Sequence, residues 1–250
     1  MPHQNFLNIL DGHLDKHIYR IMKQEYIFKM FEDNQNVLSQ THNWKDKFEN
    51  FLLSGIMTLD GENTTYGFKN DWIGQCWTND GFSEAMWGIY ANDSHQRYLR
   101  IRSTPRKLLT GLEAAHSDRP RQDTCFLGKV EYKTEKSLEE FLNNNGCLEL
   151  SPKHFAESLL LKRRAFRHEN EVRLLFFGDA EDYDCKGLYR YPVDPHGMIT
   201  QIMADPNIKP TCWRNEKATI MQATGFKGEI KRSKIYDPPN WGSPTYNSVA

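Results

Sequence analysis

The sequence predicts a single α+β domain in which a mixed β-sheet is flanked by helices. Three observations carry that expectation. Strand-length runs that alternate apolar and polar residues recur from HIYRIM (17–22) to GEIKRSKIY (228–236). Segments with apolar residues at helical spacing lie between them. No internal repeat or long linker divides the 250 residues, and 38% hydrophobic with 12% aromatic content is enough to fill one core. Residues 1–16 read as an N-terminal arm or short helix, 17–239 as the domain and 240–250 as a C-terminal tail.

Taken in order, HIYRIM is the first strand. EYIFKMFEDN (25–34) places Tyr26, Ile27, Met30 and Phe31 on one face of an amphipathic helix, and NVLSQ (36–40) returns to strand. DGENTTYGFKND (60–71) is rich in Gly and Asn and reads as a loop or hairpin. IGQCWTN (73–79) is a strand. FSEAMWGIYAN (82–92) is a helix with Ser83 as N-cap and Met86, Trp87 and Tyr90 on one face. RYLRIRS (97–103) and CFLGKVEYKTE (125–135) read as strands, separated by a polar stretch. A helix is expected over 152–166, ending in the basic run KRRAF, then a strand through HENEVRLLFFG (168–178). A helix at 215–224 and the strand GEIKRSKIY close the domain.

Composition excludes some classes. A formal net charge of -1 argues against a wholly electrostatic nucleic-acid binder. The five cysteines form no C-x-x-C pair, which points to a reduced compartment and away from a zinc ribbon or a dithiol redox centre. His13 and His17 stand one helical turn apart, a pair that lacks the further ligands a metal needs. No apolar run reaches membrane-spanning length and the amino terminus lacks a secretory core, so the expectation is a cytoplasmic protein. The fingerprints of Rossmann, P-loop, zincin and α/β-hydrolase sites are all missing.

The chemistry concentrates in Glu169-x-Glu171-x-Arg173. A strand period of two puts these three side chains on one face, with Val172, Leu174 and Phe176 on the other. Two neighbouring carboxylates, offset by an arginine, suit a site that stabilises a developing cation and steers a nucleophile's proton. The competing reading is a solvent-facing strand with a cross-strand ion pair. Trp72, Trp77, Phe82, Trp87 and Tyr90 cluster as core or as a stacking platform, with Thr78 and Asn79 at hand for polar contacts. Two basic stretches stand out, Arg97, Arg100, Arg102, Arg106 and Lys107, and Lys162, Arg163, Arg164 and Arg167. They suit phosphates of a dinucleotide or nucleic acid, or a solvated face.

These segments together resemble a bacterial domain family of unknown function, DUF family twenty-nine seventy-one. Tyr19-Arg20 matches its opening strand. Trp44-Lys45-Asp46-Lys47-Phe48-Glu49 matches part of its F-N-D-P-F-E motif, departing at Lys45 and Lys47. Met86, Trp87, Tyr90 and Ala91 match M-W-x-x-Y-A; Glu169, Glu171 and Arg173 match E-x-E-x-R; and Ser233–Pro239 matches its closing segment.

The order of parts also looks like an ADP-ribosyltransferase with a split β-sheet core. That resemblance implies NAD as a substrate and no metal. Arg20 with Tyr19 would contact its phosphates or ribose, and Trp77, Thr78, Trp87, Tyr90 and Arg173 would complete the NAD site. Glu171 would be the catalytic carboxylate and Glu169 would orient or deprotonate the acceptor. A nucleic acid (RNA or DNA) or protein acceptor would lie along Arg100, Arg102, Arg163, Arg164 and Arg167. The setting implied is a toxin of a toxin-antitoxin or anti-phage system, with an antitoxin protein as partner. The alternatives are a non-catalytic nucleic-acid or protein-binding module, and a metal-dependent nuclease built on Asp46, Glu49, Glu169 and Glu171.

Overall fold

The computed structural model describes residues 4–44, 46–53, 55, 57–59, 62–117, 124–145 and 151–239. Their elements run β1 (Phe6–Leu7), β2 (Ile18–Lys23), α1 (Gln24–Asp33), β3 (Gln35–Gln40), β4 (Met57–Leu59), β5 (Glu62–Thr64), β6 (Trp72–Thr78), α2 (Glu84–Tyr90) and β7 (Tyr98–Ser103). They continue α3 (Pro105–Ala114), β8 (Cys125–Lys129), β9 (Glu131–Lys133), α4 (Glu135–Asn145), α5 (Pro152–Ser158), β10 (Leu161–Arg163) and β11 (Glu171–Phe177). The last are β12 (Leu188–Pro192), α6 (Pro195–Met198), β13 (Gln201–Ala204), α7 (Trp213–Thr224) and β14 (Glu229–Arg232). The result is an α+β domain on one large mixed sheet flanked by helices, as the periodicity predicts.

The sheet splits at β6. One path runs β1-β8-β11-β6-β2-β7-β13-β14, while β3 also pairs with β6 and carries β12. The two partners share one edge of β6: Tyr19 of β2 lies opposite Thr78, and Ser39 and Gln40 of β3 lie opposite Gly74 and Ile73. Between those contacts β2 diverges from β6 and leaves a notch in the sheet.

The branch holding β11 is covered on both faces. Val172, Leu174 and Phe176 enter the main core with Ile18, Leu38, Leu108 and Ile202, while Leu175 packs in a second cluster with Trp72, Phe126 and Phe155. Leu174, Leu175 and Phe176 are each fully buried, worth about 1.5–3 kcal/mol apiece. A solvent-facing strand is therefore excluded for β11, because strands pair on both its edges and side chains cover both its faces.

Four local expectations change. Residues 6–7 of the expected arm or helix pair in parallel with β8 at the sheet edge. The run 125–135 is two strands, because at Val130 the backbone leaves β11 and from Glu131 pairs with β10. The helix expected over 152–166 ends at Ser158, and Leu161–Arg163 becomes a strand, since tertiary pairing overrides the helical propensity of Lys and Arg. Helices α3 and α4 fill segments that the periodicity left unassigned. Residues 240–250, Lys45 and Asp60-Gly61 lie outside the described residues. No helix among the described residues is long and apolar enough to cross a membrane.

Candidate active site

The notch beside β6 opens into a cleft of about 100 Å³. Tyr19, Arg20, Cys76, Thr78, Tyr90, Glu169 and Glu171 line it, with Ile21, Trp77 and Met86. Three elements build it: β2, the end of β6 continuing into α2, and the start of β11. Ser83 caps α2 by accepting from the Met86 amide at 3.3 Å, which aims Met86 and Tyr90 at the opening. Gly81, in the loop before α2, leaves room for a ring. A Cβ there would stand 2.5 Å from Cζ of Tyr19, so only glycine lets the loop close over that side chain.

Arg20 is held at the divergence of β2 and β6. Its Nη1 donates to the Cys76 carbonyl at 3.5 Å, and among the described residues no carboxylate lies within 4 Å of it. Burial lowers its pKa from the ordinary arginine value. A half-buried guanidinium with no carboxylate within 4 Å among the described residues is a costly arrangement, and it stands in the lining of the cleft.

Glu169 is not on β11. It ends a 3-10 turn over Arg164–Glu169, and Asn170 follows in the left-handed region at φ 41. Asparagine tolerates that conformation better than most residues, so the chain reverses before the strand begins. The Thr78 hydroxyl donates to the Glu169 carbonyl at 2.6 Å, and the Asn79 amide donates to the Asn170 carbonyl at 3.0 Å. Across the pairing, Thr78 sits between Glu171 on one neighbouring strand and Tyr19 on the other.

The two carboxylates nevertheless meet, through a residue that the sequence placed in a basic run. Lys162 Nζ lies 2.6 Å from Glu169 Oε2, 3.2 Å from Glu171 Oε2 and 2.8 Å from Glu49 Oε1. Arg173 grips Glu171 with both arms of its fork, Nε to Oε1 at 3.1 Å and Nη2 to Oε2 at 2.8 Å. Its remaining arm donates to the Leu159 carbonyl at 2.5 Å, its Nη2 is 3.2 Å from Glu49, and the Trp44 ring covers it at 4.2 Å. Both Glu171 oxygens are thus engaged. Glu169 keeps Oε1 without a hydrogen bond among the described residues.

The network sets the charges. Burial pushes the Glu171 pKa up, but Arg173 and Lys162 outweigh it and hold the carboxyl down at about 2. For Lys162, burial is also overcome, here by Glu171, Glu49 and Glu169, and its pKa is raised. Burial dominates at Glu49, whose pKa rises against the pull of Arg173 and Lys162. Tyr90 is pushed well up by burial and by the Glu169 charge, so its phenol stays protonated. Tyr132 accepts the Glu171 amide at 2.9 Å and anchors the start of β11.

The structure therefore gathers Tyr19, Arg20, Thr78, Tyr90, Glu169 and Glu171 in one cleft. It removes others from it. Trp87 lies in the packing of Ile21, Met86 and Tyr98, 3% exposed, and does not border the cleft. Trp77 borders it but is 2% exposed, with its indole donating to Gln75, so it offers no free ring face. Arg173 is wholly buried behind Glu171 and positions that carboxylate without itself lining the cleft. The expected acceptor cations also separate. Arg163 forms a fork with Asp46 at 2.8 and 3.2 Å, and Arg102 donates to Thr200 at 2.9 Å. Arg164 and Arg167 are exposed, whereas Arg100 is buried.

The sequence reading names Lys162 only in a basic run, Trp44 only in the partly matched motif, and Glu49 only there and as a metal ligand. The E of the partly matched F-N-D-P-F-E segment was the one signal for Glu49. Nothing local marks Lys162, which looks like its basic neighbours.

No protein-family model matches the chain, and no curated protein matches it. The solved structures to which it is similar include Thermus sp. 2.9 DarT in complex with NAD+, at 10% identity and a TM-score of 0.37, covering 88% of this chain and 96% of that one. Thermus sp. 2.9 DarT in complex with ADP-ribosylated ssDNA is similar at 10% identity and a TM-score of 0.37, over 88% and 95%. At such scores the reading of the site rests on its own geometry.

Proposed function

We propose that this chain is an NAD-dependent ADP-ribosyltransferase that modifies a nucleic acid (RNA or DNA) or a protein, and that it serves as a cytoplasmic toxin of bacterial defence controlled by an antitoxin protein. One observation carries the reading: an arginine without an acidic partner and two fixed carboxylates line the same cleft. Arg20 is suited to pair with a phosphate of the dinucleotide. Tyr19 and Tyr90 border space for one planar ring, and a cleft of about 100 Å³ holds no more than that, leaving the rest of the substrate outside it. Tyr90, kept protonated, supplies a hydrogen bond without adding charge.

In the reaction, the bond from ribose C1′ to the nicotinamide nitrogen breaks and its electron pair goes to the ring, which departs neutral. Glu171, ionised throughout the neutral range, faces the ribosyl cation, as carboxylates do in glycoside hydrolysis. Glu169, with one oxygen unengaged, takes the proton that the acceptor loses as it bonds to C1′. Lys162 and Arg173 keep both carboxylates in place. Lys162 Nζ occupies the centre of the three carboxylates, where a nuclease would need its metal.

The full pairing of Glu171 favours one second reading, a non-catalytic binding module whose buried network is structural. Labelled NAD with DNA, RNA and protein acceptors separates the two. Wild type should transfer label and Glu171→Gln should not, with circular dichroism confirming that the variant is folded. Transfer by Glu171→Gln would remove the role given to that residue. No NAD loss by wild type with any acceptor would select the module.

A further inference from the structure

A second depression, about 820 Å³, lies beside the cleft, and Arg100, Gly81, Phe82, Trp213 and Lys234 contribute to its walls. Arg100 is the unusual member. It is 5% exposed, its Nη1 donates to the Gly81 carbonyl, its Nε has no partner, and among the described residues no carboxylate lies within 4 Å of it. Burial lowers its pKa to about 10. Its Nε is closed to solvent and the Asp80 charge acts on it, so the guanidinium lends positive potential to the groove wall from behind rather than an open donor.

The rest of the groove adds further groups. Phe82, in the lining of the groove, stands 84% exposed. Trp213, in the same lining, is partly buried. Lys234 is exposed, in a segment that Arg232 fastens by its fork to Asp237. Lys231 is neutralised by Glu229 at 2.5 Å and adds no free charge. Cations and aromatic rings share the lining of one groove, a combination that reads phosphates and unstacked bases together.

We propose that this groove binds single-stranded nucleic acid, with Lys234 on a phosphate, Arg100 adding positive potential from the wall, and a base stacked on Phe82. An exposed ring stacks flat on an unpaired base without the cost of unstacking a duplex, which favours a single strand. An acidic peptide would use the cations but leave the exposed ring idle. The groove also shares a wall with the cleft. The Arg100 guanidinium lies 4.6 Å from the centre of the Tyr19 ring, and Tyr19 lines the cleft from its other side. The Tyr19 ring thus separates a strand held here from the cleft that Glu169 and Glu171 line. The strand's assignment as the acceptor rests on the transferase reading above, whereas the binding itself does not.

The test is fluorescence anisotropy of labelled 20-nucleotide DNA and RNA strands with the full chain, with NAD cleavage measured on the same preparations. Wild type should bind at least one strand more tightly than the corresponding duplex. Phe82→Ala should weaken that binding about tenfold, and Lys234→Glu should weaken it and flatten its dependence on salt. Both positions are exposed, so neither substitution threatens the fold. No binding by wild type, unchanged binding by Phe82→Ala, or equal displacement by polyglutamate would overturn the proposal. Displacement by excess ADP-ribose would overturn it too, giving the groove to the dinucleotide. Strand binding without NAD cleavage would sink the transferase reading and leave the groove standing; cleavage without strand binding would do the reverse.

Discussion

Lys162 Nζ lies 2.6 Å from Oε2 of Glu169, so a lysine from the basic run and a glutamate from the acidic pair are partners inside the domain. The lysine leaves β10, the glutamate ends the turn before β11, and Glu49 and Glu171 complete the shell. Three carboxylates share two cations there, and each cation is needed.

Lys162→Met removes the ammonium and leaves Glu49, Glu169 and Glu171 facing one another with Arg173 alone. Breaking a buried pair costs about 3–5 kcal/mol. Urea unfolding should show a loss of that order, and adding Glu169→Gln to the variant should restore part of it. A midpoint unchanged by Lys162→Met would show that the network contributes nothing to stability.

Glu169→Gln separates the two carboxylate roles. NAD hydrolysis should persist while transfer to an acceptor falls about 10²- to 10⁴-fold, the usual worth of a general base. Glu171→Gln should abolish both. Equal loss of hydrolysis and transfer in Glu169→Gln would mean that Glu169 does not act on the acceptor.

Arg20→Met tests the unpaired cation. The substitution removes a guanidinium that has one long hydrogen bond and no acidic partner, so the melting temperature should hold or rise. NAD affinity, followed by calorimetry, should fall about 10- to 100-fold with the lost charge-assisted contact. A strongly destabilised variant would show instead that Arg20 is structural.

The pH dependence follows from Glu171. Folded, it titrates at about 2; unfolded, near 4.5. Below 4.5 the unfolded chain binds the proton and the folded chain does not, so its stabilisation is complete above that value and is lost as pH falls toward 2. Glu49, with its pKa raised by burial, works in the opposite direction above 4.5. Wild type should therefore lose stability in acid more steeply than Glu171→Gln. Parallel slopes in denaturant titrations at a series of pH values would contradict this.

Local features were legible where a side chain's surroundings follow from its own neighbours. The alternation in 17–22 and 73–79 gave strands, Ser83 gave the cap of α2, and the resemblance brought Arg20, Tyr90 and Glu171 together as cleft residues. The same logic failed at Glu169. Spacing of two places it beside Glu171 only if the strand extends back to it, and Asn170 at φ 41 ends the strand one residue earlier. Trp87 and Arg173, expected at the NAD site, lie outside the cleft lining, and a face with helical or strand spacing does not say whether it meets a cleft or another segment.

What the sequence determined by itself was the set of elements and the presence of an acidic, aromatic and basic chemistry near the E-x-E-x-R run. Tertiary structure decided which charges are satisfied. Arg163 is spent on Asp46, Arg173 on Glu171 and Lys162 on three carboxylates, while Arg20 and Arg100 have no carboxylate within 4 Å among the described residues. Periodicity reports a residue's relation to its own strand or helix. Charge pairing and burial depend on distances to segments remote in the chain, and only the packed sheet, split at β6, sets those distances.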